Sequence, residues 1–129
     1  LTRTGICITI RKFPKRFSMH QLQIMGTFDE RMGIFLQKCI AGRVNILISG
    51  GTGSGKTTLL ASLCGSIPKE ERIITIEDTP ELRLSNPNHV QLYTRPKVGE
   101  TTAITQRELL VNSLRMRPDR IIVGECRRG

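Results

Sequence analysis
The run Gly50, Gly51, Thr52, Gly53, Ser54, Gly55, Lys56, Thr57 fits the pattern G-x-x-x-x-G-K-[ST], and each residue type in it has a physical task at a polyphosphate. Glycine reaches positive φ at no steric cost, so backbone N–H groups converge on phosphate oxygens with no Cβ between them. A helix that starts directly after the loop adds the partial positive charge of its N-terminus. The Lys56 ammonium supplies a full charge for β and γ phosphates, and the Thr57 hydroxyl is an oxygen donor of the kind Mg²⁺ prefers. These residues predict binding of ATP with Mg²⁺. The alternative is a glycine linker that matches by chance, which an apolar run before it and a helical pattern after it both disfavour.

Carboxylates at two other places could complete such a site. Ile73-Ile74-Thr75-Ile76 runs into Glu77-Asp78, and Ile121-Ile122-Val123-Gly124 runs into Glu125. In an open α/β sheet, ligands lie beyond the carboxyl ends of the strands, so acids there face a bound phosphate and its metal. Phosphoryl transfer to water needs one group to orient the water and others to hold the Mg²⁺ shell. Glu77 and Glu125 are the leading candidates, against the plainer reading of solvated strand ends, which weighs most for Asp78. Gly124 before Glu125 departs from a simple apolar run ending in Asp. Arg115 and Arg117 sit where a helix C-terminus would favour them anyway, so a structural role competes with a catalytic one. His20 and His89 have no partner pattern and read as surface or core.

The elements that must position these residues follow from periodicity. Apolar runs Val44 to Ile48, Arg72 to Ile76 and Arg120 to Val123 read as buried parallel strands. Between them lie helical stretches: Lys56 to about Gly65, with Leu59, Leu60 and Leu63 on one face, and Gln106 to Met116, capped by Thr105 and Glu108. The alternation predicts an α/β fold. Upstream, Ile6, Ile8 and Ile10 alternate with polar or small residues as a strand does, and Pro14 ends the run. Thr27 with Glu30 suggests a capping box, followed by Met32, Phe35, Leu36, Cys39 and Ile40 on one helix face and Gly42 as the stop. Residues 79–100 are broken by Pro80, Pro87 and Pro96 and predict a loop-rich excursion with one strand, Val90 to Tyr93. A boundary falls near Gly26 or Gly42, with residues 1–26 as a leading segment and 27–129 as the α/β core.

Composition bounds the class. A chain of 129 residues buries roughly two-thirds of its unfolded surface, enough for a core without staples. With 38% hydrophobic and 24% charged residues it has a soluble globular balance, and no apolar stretch approaches the roughly 20 residues that span a bilayer. Four cysteines, Cys7, Cys39, Cys64 and Cys126, show no C-x-x-C pair, which argues against a zinc site or a disulfide framework and for reduced, mostly buried thiols. The net charge is +9, and the first sixteen residues hold five basic side chains and no acid. Nucleotide phosphates, an acidic subunit, anionic lipid and nucleic acid would each match that sign. The chain opens at Leu1 and stops at Gly129 right after a core strand, so a fragment is expected.

Taken in order, Ile8-Thr9-Ile10-Arg11-Lys12-Phe13, Gly50 to Thr58, Arg72 to Glu77 and Leu114 to Glu125 resemble the type II/type IV secretion ATPase superfamily. The resemblance is nearest to the branch that powers tight-adherence pilus assembly and to related conjugation-type secretion ATPases. It implies a truncated RecA-like P-loop NTPase core, a mostly parallel sheet with flanking helices, preceded by the end of an amino-terminal domain. It implies a cytoplasmic, hexameric motor at the inner membrane face, acting on secretion or pilus platform proteins and driven by ATP and Mg²⁺. Residue by residue, Gly50 to Thr58 match the nucleotide-binding loop, and Glu77 the catalytic acid of the Asp box. Glu125 matches the Walker-B glutamate beside the metal, and Arg11 an arginine that reaches the γ-phosphate. The family's histidine box and further elements are expected after Glu125, and Cys126-Arg127-Arg128 departs from the usual run. Weak binding and poor hydrolysis are therefore expected of the isolated chain. The rival reading is a RecA-like nucleic-acid-dependent ATPase, which the charge favours. One Tyr, four Phe and no Trp disfavour it, because they leave few platforms for stacking bases, so no nucleic acid is expected.

Overall fold
A computed structural model describes residues 5–10 and 15–126. Its centre is a three-stranded parallel sheet in the order β2-β1-β3, with β1 Ile73–Glu77, β2 His89–Tyr93 and β3 Arg120–Val123. The middle strand is buried along its whole length, with Ile73, Ile74 and Ile76 fully enclosed, because a parallel strand with two neighbours and covered faces has no solvent side. That is why its sequence is an unbroken apolar run. In register, Ile74 lies between Val90 and Ile121, and Ile76 between Leu92 and Val123.

The helices are α1 Met19–Ile24, α2 Glu30–Ala41, α3 Lys56–Cys64 and α4 Gln106–Ser113, the last continued by a single 3₁₀ turn, Leu114–Met116. Met19, Leu22, Ile40, Leu63 and Cys64 bring α1, α2 and α3 into one apolar cluster with Ile73 and Ile122 of the sheet. The α4 cap is the expected one: the Thr105 side chain accepts from the Glu108 N–H while the Glu108 carboxylate accepts from the Thr105 N–H. The excursion over 79–100 carries one strand, β2, as its sequence predicts.

Several expectations are corrected. Residues 6–10 form no hydrogen-bonded strand, and Ile6, Ile8 and Ile10 are 95%, 79% and 79% exposed. Alternation supplies a face but not a partner edge, and none meets it among the described residues. Pro14 lies outside the described residues. Residues 44–48 likewise stay outside the ladder, with Val44 and Leu47 exposed, although Arg43 anchors their start. Arg43 takes a left-handed φ of 55° and pairs with Glu71 and Asp119, level with the beginnings of β1 and β3. Gly42 is the C-cap that stops α2, as expected, but it keeps a negative φ and the left-handed residue is Arg43 after it.

The start and buried face of α2 also differ from expectation. Its cap is Asp29, whose carboxylate accepts from the Met32 N–H at 2.7 Å, in place of the Thr27–Glu30 box. Phe28 lies over Gly33, so the buried stripe runs through Gly33, Leu36 and Ile40 and leaves Met32 and Phe35 in solvent. Ser18 and Gln21 form a capping box that starts α1, a helix the periodicity does not announce. Among the cysteines, Cys64 is buried and Cys39 half-buried, whereas Cys7 and Cys126 are exposed. Burial pushes the Cys64 thiol up to about 12, so it behaves as a small apolar side chain.

One ion pair ties the layers together. Arg120, at the start of β3, donates to the Glu71 carboxylate and to the Ile40 carbonyl at the end of α2. Both charged side chains are largely covered, at 12% and 13% exposed, and the guanidinium holds the Glu71 carboxyl below its ordinary value. The Arg120 fork therefore fixes the lower ends of β1, β3 and α2 against one another.

Candidate functional site
Gly50 to Gly55 form an exposed loop that curls before α3. The Ser54 N–H and hydroxyl both donate to the Gly51 carbonyl, at 3.3 and 2.8 Å, and close a tight turn. Gly53 and Gly55 take φ of 75° and 90°, the left-handed region in which a Cβ is penalised. Gly55 is the N-cap of α3 and offers no side chain there, so the first-turn N–H groups are not capped from within. The Lys56 ammonium folds back over the loop and donates to the Gly51 carbonyl at 2.6 Å. Thr52 is exposed in the turn, and Thr57 and Thr58 are half-buried in the first turn of the helix.

The acids at the strand ends meet this helix through a residue that the sequence reading does not single out. Glu77, the last residue of β1, is 3% exposed. Its Oε1 accepts from the backbone N–H groups of Glu81 and Leu82, at 3.0 and 2.8 Å. Its Oε2 is buried without a hydrogen-bond partner among the described residues. Glu81 in turn accepts from the Thr57 hydroxyl at 3.3 Å. Thr57, Glu81 and Glu77 therefore form one chain from the start of α3 to the end of the central strand. The available signal for Glu81 is its spacing: Pro80 turns the chain after the strand and brings the next carboxylate back toward its end.

The end of β3 adds a close approach. A Cβ on Gly124 would meet Glu77 Cγ at 3.0 Å, so the glycine that interrupts the run before Glu125 is the residue that admits the Glu77 side chain. The Gly124 N–H donates to the Ile76 carbonyl at 2.9 Å, which continues the pairing past the strand. Glu125 itself is exposed, and its carbonyl accepts from Gln106 Nε2 at 2.9 Å. The same Gln106 amide reaches Asp78 Oδ1 at 3.2 Å, which also accepts from the Thr94 hydroxyl at 2.9 Å. Asp78 is thus bonded into the ends of β2 and α4, and its partners explain it structurally. Gln106, at the first position of α4, is the second residue the sequence reading passes over.

The remaining candidates separate cleanly. Arg11 lies outside the described residues. Arg115 is in the 3₁₀ turn after α4, and Arg117 follows it at φ 53°, both at a helix end as the dipole argument expects. His89 shares a 2.9 Å hydrogen bond with the fully buried Thr75, and burial lowers its pKa. Among the described residues no group of three His, Cys, Asp or Glu is placed to hold a metal ion by itself, and no helix is long and apolar enough to cross a membrane.

Comparison with known proteins gives this arrangement a family. The family model described as type II/IV secretion system protein matches residues 2–129. VirB11 of Agrobacterium fabrum is 50% identical over 93 residues, which cover 72% of this chain and 27% of that protein. An uncharacterised protein of Methanocaldococcus jannaschii, MJ0781, is 45% identical over 98% of this chain and 19% of its own length. Among solved structures, the VirB11 ATPase of the Brucella suis type IV secretion system, in complex with sulphate, aligns with a TM-score of 0.68 and 41% identity. That alignment covers 86% of this chain and 30% of the other, so the chain spans a fifth to a third of the relatives it matches. The fold is accordingly part of a RecA-like α/β core, and the chain belongs to the type II/IV secretion system protein family.

Proposed function
We propose that this chain is the nucleotide-binding part of a motor that hydrolyses ATP to drive secretion or pilus assembly. The observation that carries the reading is the chain of contacts from Thr57 through Glu81 to Glu77, which joins the first turn after the glycine loop to a buried carboxylate at a strand end. The residues present suit Mg-ATP. Gly51, Gly53 and Gly55 put no Cβ over the loop backbone, Lys56 offers a full charge, and Thr57 and Glu125 offer hard oxygen donors. Mg²⁺ usually keeps several waters and takes the rest of its shell from phosphates and one or two protein oxygens, so Thr57 with Glu125 would suffice without a protein cage. When bound, the ion neutralises charge on the β and γ phosphates.

The roles follow from the local chemistry. Lys56 exchanges a neutral carbonyl for an ionised phosphate oxygen, a stronger charge-assisted bond, so the ammonium is drawn toward the nucleotide. Thr58 extends the helix start that faces the phosphates. Glu77 uses Oε1 to accept the two N–H bonds that fix it, and its Oε2, enclosed in this structure, is assigned to the proton of an attacking water once the site opens to the nucleotide. Glu125 holds the metal shell, and Arg11 is assigned to the γ-phosphate by resemblance alone. The sulphate bound by the Brucella suis relative, a tetrahedral oxyanion like a terminal phosphate, supports the same reading.

The working form in this reading is a homo-oligomer, by family resemblance a hexamer, at the cytoplasmic face of the inner membrane against platform proteins embedded there. ATPase activity of the full-length protein across a concentration series tests it, with Glu77→Gln and Glu125→Gln measured beside the parent. Specific activity should rise with assembly, and each variant should lose roughly 10²-fold or more, the usual cost of removing an acid–base or charge-stabilising group. Activity retained in both variants would contradict the assignment.

A further inference from the structure
Glu125 stands just past the end of β3 at Val123, and Gly124 lies between them. The glycine is needed there, because a Cβ would meet Glu77 Cγ at 3.0 Å. It also has a drawback, since glycine loosens the backbone on which the next residue stands. A residue after such a joint is fixed only where the chain is held on both sides of it.

Both sides are held. Ahead of the joint, the Gly124 N–H donates to the Ile76 carbonyl at 2.9 Å. Behind it, the Glu125 carbonyl accepts from Gln106 Nε2 at 2.9 Å. These bonds bracket the backbone torsions of Gly124 and Glu125, and those torsions set where the exposed Glu125 side chain leaves the chain.

Gln106 is anchored in its turn. The same Nε2 donates to Asp78 Oδ1 at 3.2 Å, and that oxygen also accepts from the Thr94 hydroxyl at 2.9 Å. Thr94 follows β2, and its N–H donates to the Glu77 carbonyl at 3.0 Å. Through Asp78 and Thr94, one planar amide ties the carboxyl ends of the three strands to the start of α4. A carboxamide suits the place, because its NH₂ group has two donors and both partners are acceptors, a match that a carboxylate cannot give. Nor is the amide needed to start the helix, since Thr105 and Glu108 already cap it.

We propose that Gln106 is a positioning residue for Glu125, with Asp78 as its anchor: the amide sets where the Glu125 carboxylate stands relative to Glu77 and to the metal of a bound nucleotide. This rests on the metal role given to Glu125 above and adds the residue that aims it. Asp78 thereby acts in the site without touching nucleotide or metal.

The test uses the full-length protein and two variants. Gln106→Glu keeps the side-chain length and suits a helix start, where negative charge is favoured, but it sets an acceptor against two acceptors. Gln106→Leu removes the donors and adds no charge. ATP affinity is titrated with Mg²⁺ and again in EDTA, and the ratio of the two reads the metal's contribution without turnover. Each variant should lower that ratio about tenfold, the loss expected when the support of a metal-binding group is removed, and leave affinity in EDTA unchanged. The same substitutions in a Glu125→Gln background should change the ratio no further, because a residue that acts through that carboxylate then has nothing to aim. The proposal is overturned by a ratio unchanged in both variants, by an equal fall in the Glu125→Gln background, or by loss of native melting in both variants. A ratio that Glu125→Gln alone leaves unchanged would remove Glu125 from the metal and this proposal with it, a result distinct from the other three.

Discussion

Glu77 and Glu81 divide their work by environment. Glu77 is enclosed and fixed by two N–H donors, whereas Glu81 presents its N–H to Glu77 and its carboxylate to Thr57. A hydroxyl that donates to a carboxylate turns its lone pairs the other way, so in the proposed site Glu81 would orient the Thr57 oxygen for a cation without ligating it. Glu81→Ala keeps the backbone bond to Glu77 and removes only this orientation. The half-saturating Mg²⁺ concentration for ATP hydrolysis should rise about tenfold, the lower end of losses seen when a metal ligand's support is removed. A rate titrated with Mg²⁺ at fixed ATP checks it, and an unchanged midpoint would remove Glu81 from the site. At this scale the sequence was partly legible. The glycine loop with Lys56 and Thr57 has a pattern of its own, and Glu77 is marked by the strand it ends. Glu81 and Gln106 have no such mark, because their roles depend on a proline turn and a helix start that only the folded chain brings to the strand ends.

Elements were legible where the signal lies within them. The apolar runs of β1 and β3 and the Thr105–Glu108 box of α4 each carry their own evidence. Residues 6–10 and 44–48 carry a strand pattern too, yet a strand is a relation between two edges, and among the described residues no second edge meets them. The face of α2 was misread for a related reason: Gly33, invisible to a hydrophobic count, is buried because the Phe28 ring lies on it. The end of β3 yields a prediction of its own. A methyl on Gly124 would press on Glu77 Cγ at 3.0 Å, closer than side chains ordinarily pack. Gly124→Ala should therefore displace the carboxylate and lower the turnover number on the order of tenfold or more, while nucleotide affinity changes little, since a small misplacement of a reacting group is costly to rate. Parallel measurement of turnover and ATP affinity separates this from general loss of fold.

For the molecule as a whole, three groups among the described residues are shifted so that acid weakens the fold: Glu71, His89 and Glu108, whose carboxyl pKa is lowered first by the backbone N–H of Thr105. Glu71 lies below its ordinary 4.5, first through its hydrogen bond from Arg120, so folding favours the charged carboxylate. Its contribution is complete above 4.5 and is lost as pH falls through the lowered value. His89 is lowered from 6.5 by burial, so folding favours the neutral ring, and that contribution is complete above 6.5 and declines as pH drops toward the lowered value. The thermal midpoint should therefore fall on acidification in two stages, the first beginning near pH 6.5 and the second below 4.5, as melting curves across pH would record. The +9 charge, for its part, names no partner. What the account depends on is narrower, namely that the loop from Gly50 to Thr57 grips the terminal phosphates of Mg-ATP. The direct measurement is a Mg-ATP binding titration of the full-length protein and its Lys56→Ala variant, both checked for native melting. Loss of the charge-assisted contact should cost about 2–3 kcal/mol, on the order of 100-fold in affinity. Equal affinity for the two proteins would contradict the central claim.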